Sequence, residues 1–190
     1  MGADIHMYVE YRNKKQAKER ETRGDGPYWI SYGDGMNPGR NYTMFAVLAG
    51  VRGQYTESFE PKGKIPRELM GWSANCDAFM NIYPKKHEDK EWEGFVTSEK
   101  ATEWETWGRR IILNENGEPT HIEHPDWHSH SWMNIRELEK AYKIYVKKAS
   151  KEWNEKITKP PVEWMALLAS MKALEDGGEN EVRVVFWFDS

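Results

Sequence analysis

The two ends of the chain constrain its fold more than anything between them. Ile5, Met7, Val9 and Tyr11 alternate with Asp4, His6, Tyr8 and Glu10, which is the period of a strand with one apolar face. Val182 to Phe188, Val-Arg-Val-Val-Phe-Trp-Phe, is rich in β-branched and aromatic residues and reads as another strand. Strands in these two places are expected to lie centrally or to pair with each other. The segments between them do not alternate regularly between strand and helix. The pattern points to an α+β fold in one domain, 1–190, with a mainly antiparallel sheet and about four helices.

Arg12 to Arg23 is charged and without period, and reads as a solvated loop. Tyr28 to Tyr32 is a strand candidate before the turn residues Gly33-Asp34-Gly35. Asn37-Pro38 suits a helix start, with Met44, Phe45, Val47, Leu48 and Val51 as its apolar face and Gly50 as its stop. The stretch around 52–91 carries scattered Gly and Pro and reads as a loop-rich insertion. A short helix is expected from Thr97 to near Gly108. A hairpin follows, turning at Asn116-Gly117. Asn134 with Glu137 forms a capping-box pair, and Met133 with Leu138 a hydrophobic staple, for a helix with apolar residues through Trp153. Pro160-Pro161 breaks it, and another helix spans Val162 to Glu175 before Gly177-Gly178.

Val, Ile, Leu and Phe are scarce, so the 10 Trp, 9 Tyr and 9 Met must supply much of the core. A formal net charge of −4 gives no strong signal for a nucleic-acid polymer. The single cysteine, Cys76, excludes an intrachain disulfide framework and a cysteine-based zinc knuckle, and it fits a reducing compartment. No stretch is long and apolar enough for a membrane span. Met1 to His6 shows neither a secretory signal nor a myristoylation motif, so the expected location is the cytoplasm.

Four of the six histidines, His121, His124, His128 and His130, fall within ten residues. In extended chain Asp126, His128 and His130 face one way and offer a carboxylate and two imidazoles. Asp4 and His6 make a second such pair on the N-terminal strand. Asp4, His6, His128 and His130 are therefore candidate ligands for a divalent zinc or manganese ion, with His128, His130 and Asp126 as candidate catalytic residues. The same cluster also reads as a polar turn whose imidazoles bond carbonyls, or as a metal-free ligand contact. A Ser-His-Asp triad of Ser129, His128 and Asp126 is too local, because triad members converge from separate places. Arg40 and Asn41, at the start of the helix after the glycine-rich loop, suit a phosphate. Trp127 and Trp132 flank the histidine cluster and suit stacking on a base, with Ser129 between them as a further candidate ligand-binding residue.

Four stretches carry a resemblance: Gly-Ala-Asp-Ile-His-Met-Tyr-Val-Glu-Tyr-Arg at 2–12, Asn-Pro-Gly-Arg-Asn-Tyr-Thr-Met-Phe-Ala-Val-Leu-Ala-Gly-Val-Arg-Gly at 37–53, Asp-Trp-His-Ser-His-Ser-Trp-Met-Asn-Ile-Arg-Glu-Leu at 126–138, and Val-Arg-Val-Val-Phe-Trp-Phe-Asp at 182–189. Together they resemble a family of hypothetical proteins encoded by bacteriophages and prophages. The resemblance implies a setting, the cytoplasm of an infected bacterium, where small accessory proteins counter host defences or modify nucleotide pools. Combined with the residues, it leads to three expectations. One is a metal-dependent phosphoesterase that degrades a cyclic or other nucleotide signal. Another is a non-catalytic protein that sequesters a nucleotide-type small molecule. The third is a protein-binding inhibitor of a host factor. The sequence leaves a homo-oligomer open.

Overall fold

The computed structural model describes residues 2–25, 29–33, 35–53, 57–63, 65, 79–83, 95–124 and 126–189. Along the chain these form β1 (Asp4–Asn13), α1 (Lys14–Arg23), β2 (Ile30–Ser31), α2 (Tyr42–Ala49), β3 (Phe79–Tyr83), β4 (Phe95–Thr97), α3 (Ser98–Thr106), β5 (Ile111–Leu113), β6 (Pro119–Glu123), β7 (His128–Asn134), α4 (Ile135–Glu152), α5 (Val162–Glu175), a 3-10 turn (Asp176–Gly178) and β8 (Asn180–Asp189). The fold is α+β in one domain. Among the described residues it holds two four-stranded sheets, ordered β2-β1-β8-β7 and β4-β3-β6-β5. The first is antiparallel throughout, and the second contains the parallel pair β3–β4.

The expected strand near the N-terminus and the expected strand near the C-terminus pair over their full length, from Asp4 opposite Asp189 to Asn13 opposite Asn180. Alternation sorts their side chains by face. Ile5, Met7 and Val9 join Val182, Val184, Phe186 and Phe188 in a core completed by Phe45 and Leu48 of α2, Leu138, Tyr142 and Tyr145 of α4, and Trp164, Leu167 and Met171 of α5. Each fully buried large apolar side chain contributes about 1.5–3 kcal/mol. The Tyr142 hydroxyl donates to the Trp164 carbonyl and ties α4 to α5. Val185 and Trp187 point the other way, into a smaller cluster with Ile65, Tyr8, Ile112, Trp127 and Trp132. A third cluster, Met80, Val96, Ala101, Trp104 and Ile122, holds α3 on the second sheet.

Several elements differ from the sequence expectation. Residues 14–23 form a helix, not a loop. Only Ala17 is buried, so no apolar period marks it. Its ends hold it instead: Asn13 accepts from the Gln16 N–H, and Gly24 closes it with φ 75°. Helix α2 starts at Tyr42 rather than at Pro38. The Asn37 side chain is used in a local turn to Gly39, which has φ 74°, and Asn41 becomes the cap by accepting from the Met44 N–H. The histidine segment, which the sequence allows as extended chain or as a polar turn, is strand β7 from His128 onward, because pairing with β8 supplies its hydrogen bonds. Much of 52–91 lies outside the described residues, as does Cys76, and the described part of that stretch includes β3.

The capping box of α4 is formed as expected, with Asn134 and Glu137 each bonding the other's backbone N–H at 2.9 Å. Met133 and Leu138 are both buried beside it. Asn134→Ala is expected to lower unfolding free energy by about 1 kcal/mol, read from the urea midpoint, and Asn134→Asp to recover most of it.

Candidate functional site

The outer face of β1 presents Asp4, His6, Tyr8 and Glu10. The register sets each against a residue of β8: Asp189, Trp187, Val185 and Arg183. Cross-strand neighbours on one face touch. The Asp4 N–H donates to Asp189 Oδ1 at 3.1 Å, and His6 Nε2 lies 2.9 Å from Asp189 Oδ2. Arg40, from the loop before α2, grips Asp4 as a fork, with Nε and Nη2 each 2.6 Å from a carboxylate oxygen. The Arg40 guanidinium holds the Asp4 carboxyl below its ordinary range, and Asp4 in turn pushes Arg40 up. Both side chains are about half exposed, 48% for Asp4 and 55% for Arg40.

Beside this polar end lies a row of rings. Trp187 is flanked by His6, with centroids 5.6 Å apart and planes 8° apart, and by His130, at 6.0 Å and 15°. Tyr8 extends the row at 5.7 Å from Trp187. Trp127 leans across it, 5.7 Å from both His6 and Trp187 and 5.1 Å from His124. His124 meets Trp104 edge-on at 5.8 Å, linking the row to the second sheet. Trp187 is 1% exposed, and its indole Nε1–H has no hydrogen-bond partner among the described residues.

A bulge decides where the β7 histidines go. His128 pairs with Phe188 and Ser131 with Phe186, so β7 spends one extra residue over that interval. Ser129 carries the distortion with φ 53°, a left-handed conformation that costs a non-glycine residue about 1–3 kcal/mol. His128 therefore sits against Phe188, centroids 6.1 Å apart, while His130 sits against Trp187 on the opposite face. Asp126 is exposed, and its N–H donates to His124 Nδ1 at 3.2 Å. The expected common face of Asp126, His128 and His130 is not formed, because an i, i+2 rule fails across a bulge.

The four candidate metal ligands are likewise not gathered. His6 and His130 lie on either side of the Trp187 ring, on strands two positions apart, roughly 10 Å. Among the described residues no group of three or more His, Cys, Asp or Glu is placed to hold a metal ion. Asn41 is occupied as the cap of α2 and donates its side-chain N–H to Tyr145 Oη at 3.2 Å. Trp132 faces Val185, with the Lys62 ammonium 5.3 Å from its ring centroid. Ser129 Oγ lies 3.0 Å from His128 Nδ1.

Sequence reasoning missed Asp189, the carboxylate on which Asp4 and His6 converge, and the central place of Trp187. The pairing expected between the two end strands is the signal that finds both, once a register is assigned.

Burial holds the imidazoles of His121 and His128 below their ordinary range. At His128 Asp189 opposes that shift and Arg52 adds to it. Below the ordinary value of 6.5 the unfolded chain takes up protons that the folded chain resists. Their contribution to stability is thus complete above that value and is lost as pH falls through it. Urea midpoints should drop from pH 7.5 to pH 5.5, and the drop should be smaller in the His121→Gln, His128→Gln double variant. An unchanged slope would show that other groups set the acid response.

No helix among the described residues is long and apolar enough to cross a membrane. In comparisons with known proteins, no family model, curated protein or solved structure matches the chain.

Proposed function

We propose that the chain is a bacteriophage- or prophage-encoded accessory protein that binds a nucleotide-type ligand in the bacterial cytoplasm. The ligand would sit where β1, β7 and β8 end beside Arg40. One observation carries this reading. The four stretches that bear the resemblance lie far apart in sequence and each supplies part of one site: Asp4 and His6, Arg40, Trp127, and Trp187 with Asp189. Half-buried Trp127 and His6 offer ring surface for a base. Arg40 is a permanent cation with fork geometry, already presented to one anionic group, and a phosphate can take the place of the Asp4 carboxylate.

The geometry favours binding over metal-dependent hydrolysis. The ring row is built, whereas a three-ligand metal set is not assembled among the described residues. A zinc- or manganese-dependent phosphoesterase remains the catalytic form of the proposal, and turnover on metal addition would support it over sequestration.

A thermal-shift panel of cyclic, linear and ADP-ribose-type nucleotides tests the reading. A ligand at 100 times its Kd adds about 2.7 kcal/mol of stability. The expected result is a shift for at least one nucleotide, reduced in Arg40→Ala and in Trp127→Ala. No shift across the panel, with a host protein enriched on purification from infected cells, would replace this reading with the inhibitor.

A further inference from the structure

Helix α4 has an outer face as regular as its inner one. Arg136, Lys140, Lys143, Lys147 and Lys151 recur every three or four residues, and all five are exposed. That spacing puts them on one face, each about 5–6 Å from the next. At about 1.5 Å per residue the stripe runs roughly 22 Å. The buried residues of the helix, among them Leu138, Tyr142 and Tyr145, lie on the opposite face. The helix's own carboxylates do not neutralise the stripe. Glu137 is engaged by the cap and by Lys62, Glu139 by Lys172, and Glu152 accepts from the Thr43 hydroxyl. Within the stripe, Lys147 pairs with Glu57 at 3.1 Å, and the Lys140 ammonium lies 5.6 Å from the Phe59 ring centroid. Arg136, Lys143 and Lys151 form no salt bridge among the described residues. The chain as a whole is formally −4, so everything outside these five cations carries −9. Charge is segregated in this molecule, and the net value conceals it. Helix α1 is the contrast, because Glu19 and Glu21 stand among its cations.

We propose that this face of α4 is a track for the sugar–phosphate backbone of a nucleic-acid strand, bound without regard to sequence. The proposal goes beyond the nucleotide reading and uses none of that site's residues. Three arguments select the occupant. A phosphate backbone calls for a row of cations and no apolar anchor, which is what the stripe offers. A protein interface is poor in lysine at its centre and is built on aromatic or arginine anchors seated in pockets, whereas four of these five residues are exposed lysines. A lipid surface takes up an amphipathic helix by its apolar face, and that face of α4 is spent in the core. The length also fits. A duplex presents a phosphate about every 3.4 Å along each strand, so the stripe lies along about six of them.

Fluorescence polarisation with a labelled mixed-sequence oligonucleotide, single-stranded and as a duplex, tests the proposal. The expected result is binding at low salt with a log–log salt slope of about −3.5 for the single strand and −4.5 for the duplex. Affinity then falls roughly 100- to 500-fold between about 50 and 200 mM salt. The triple variant Arg136→Gln, Lys143→Gln, Lys151→Gln should bind at least tenfold more weakly at about 100 mM salt and flatten the duplex slope by about 2.7. Glutamine is a good helix former, so Tm should be preserved. The same charge change on α1, Lys15→Gln, Lys18→Gln, Arg20→Gln, is the control and should alter affinity less than about threefold. An equal loss in the α1 variant would assign binding to net charge and overturn the track. So would no binding at low salt, or binding that salt does not weaken. Poly-glutamate bound as tightly as the oligonucleotide would replace the nucleic acid with an acidic protein. Oligonucleotide binding is read without the nucleotide panel, so either proposal can fail without the other.

Discussion

Replacing Glu10 with alanine should destabilise the fold by about 3–5 kcal/mol, because it leaves a buried guanidinium without its carboxylate. Glu10 is 0% exposed and Arg183 is 4% exposed. Arg183 Nε and Nη2 donate to Glu10 Oε2 at 2.8 and 2.7 Å. Arg183 also lies 4.0 Å from the centroid of Trp29, a ring that Arg12 approaches at 4.8 Å. Burial lowers the Arg183 pKa while Glu10 opposes that shift, so the carboxylate offsets part of the cost of burying the charge. Removing both charges is a different perturbation. A Glu10→Leu, Arg183→Met variant keeps volume and loses both desolvation costs, and should be destabilised by less than half as much as Glu10→Ala. Urea unfolding of the single and double variants decides it. Equal losses would assign the effect to packing under Trp29 instead of to the ion pair.

The second large effect is expected at Trp187. Truncation to alanine removes a side chain that is 1% exposed and touches His6, Tyr8, Trp127 and His130. A loss of about 3–5 kcal/mol is typical of such a cavity. Trp187→Phe should cost less than about 1.5 kcal/mol, since it keeps a ring and removes an N–H that has no partner among the described residues. The contrast matters for the proposed function, under which the phenylalanine variant should retain both the ring row and any nucleotide-induced shift. If phenylalanine costs as much as alanine, the indole N–H makes a bond that the structure does not contain.

The parts of the fold that were legible in sequence share a physical cause. They carry their signal locally. The capping box at Asn134, the hairpin turn at Asn116-Gly117, the stop at Gly50 and the alternation of β1 are written in neighbouring residues. Helix α1 was hidden because its stability comes from its caps and from good helix formers, not from an apolar face. Strand β7 was hidden because its hydrogen bonds belong to β8. The candidate site was legible as a set of residue types, since Asp4, His6, Arg40, Trp127 and His128 do lie among segments that meet. Its geometry was not legible. A single left-handed residue, Ser129, reverses the sense of an i, i+2 pair, and no residue pattern announces a bulge made by serine.

The antiparallel order β2-β1-β8-β7 places β8, which is made after the other three strands, in the middle of the first sheet. Asp4 and its partner Asp189 are separated by 185 residues of chain. A ribosome synthesising this protein at roughly 5–20 residues per second has released β1 long before β8 exists. Until β8 emerges, β1 and β7 share no edge, and the apolar faces of α2 and α4 have no complete sheet to cover. The nascent chain therefore carries these apolar faces uncovered until β8 is made. Completion of the sheet is set by the arrival of that strand.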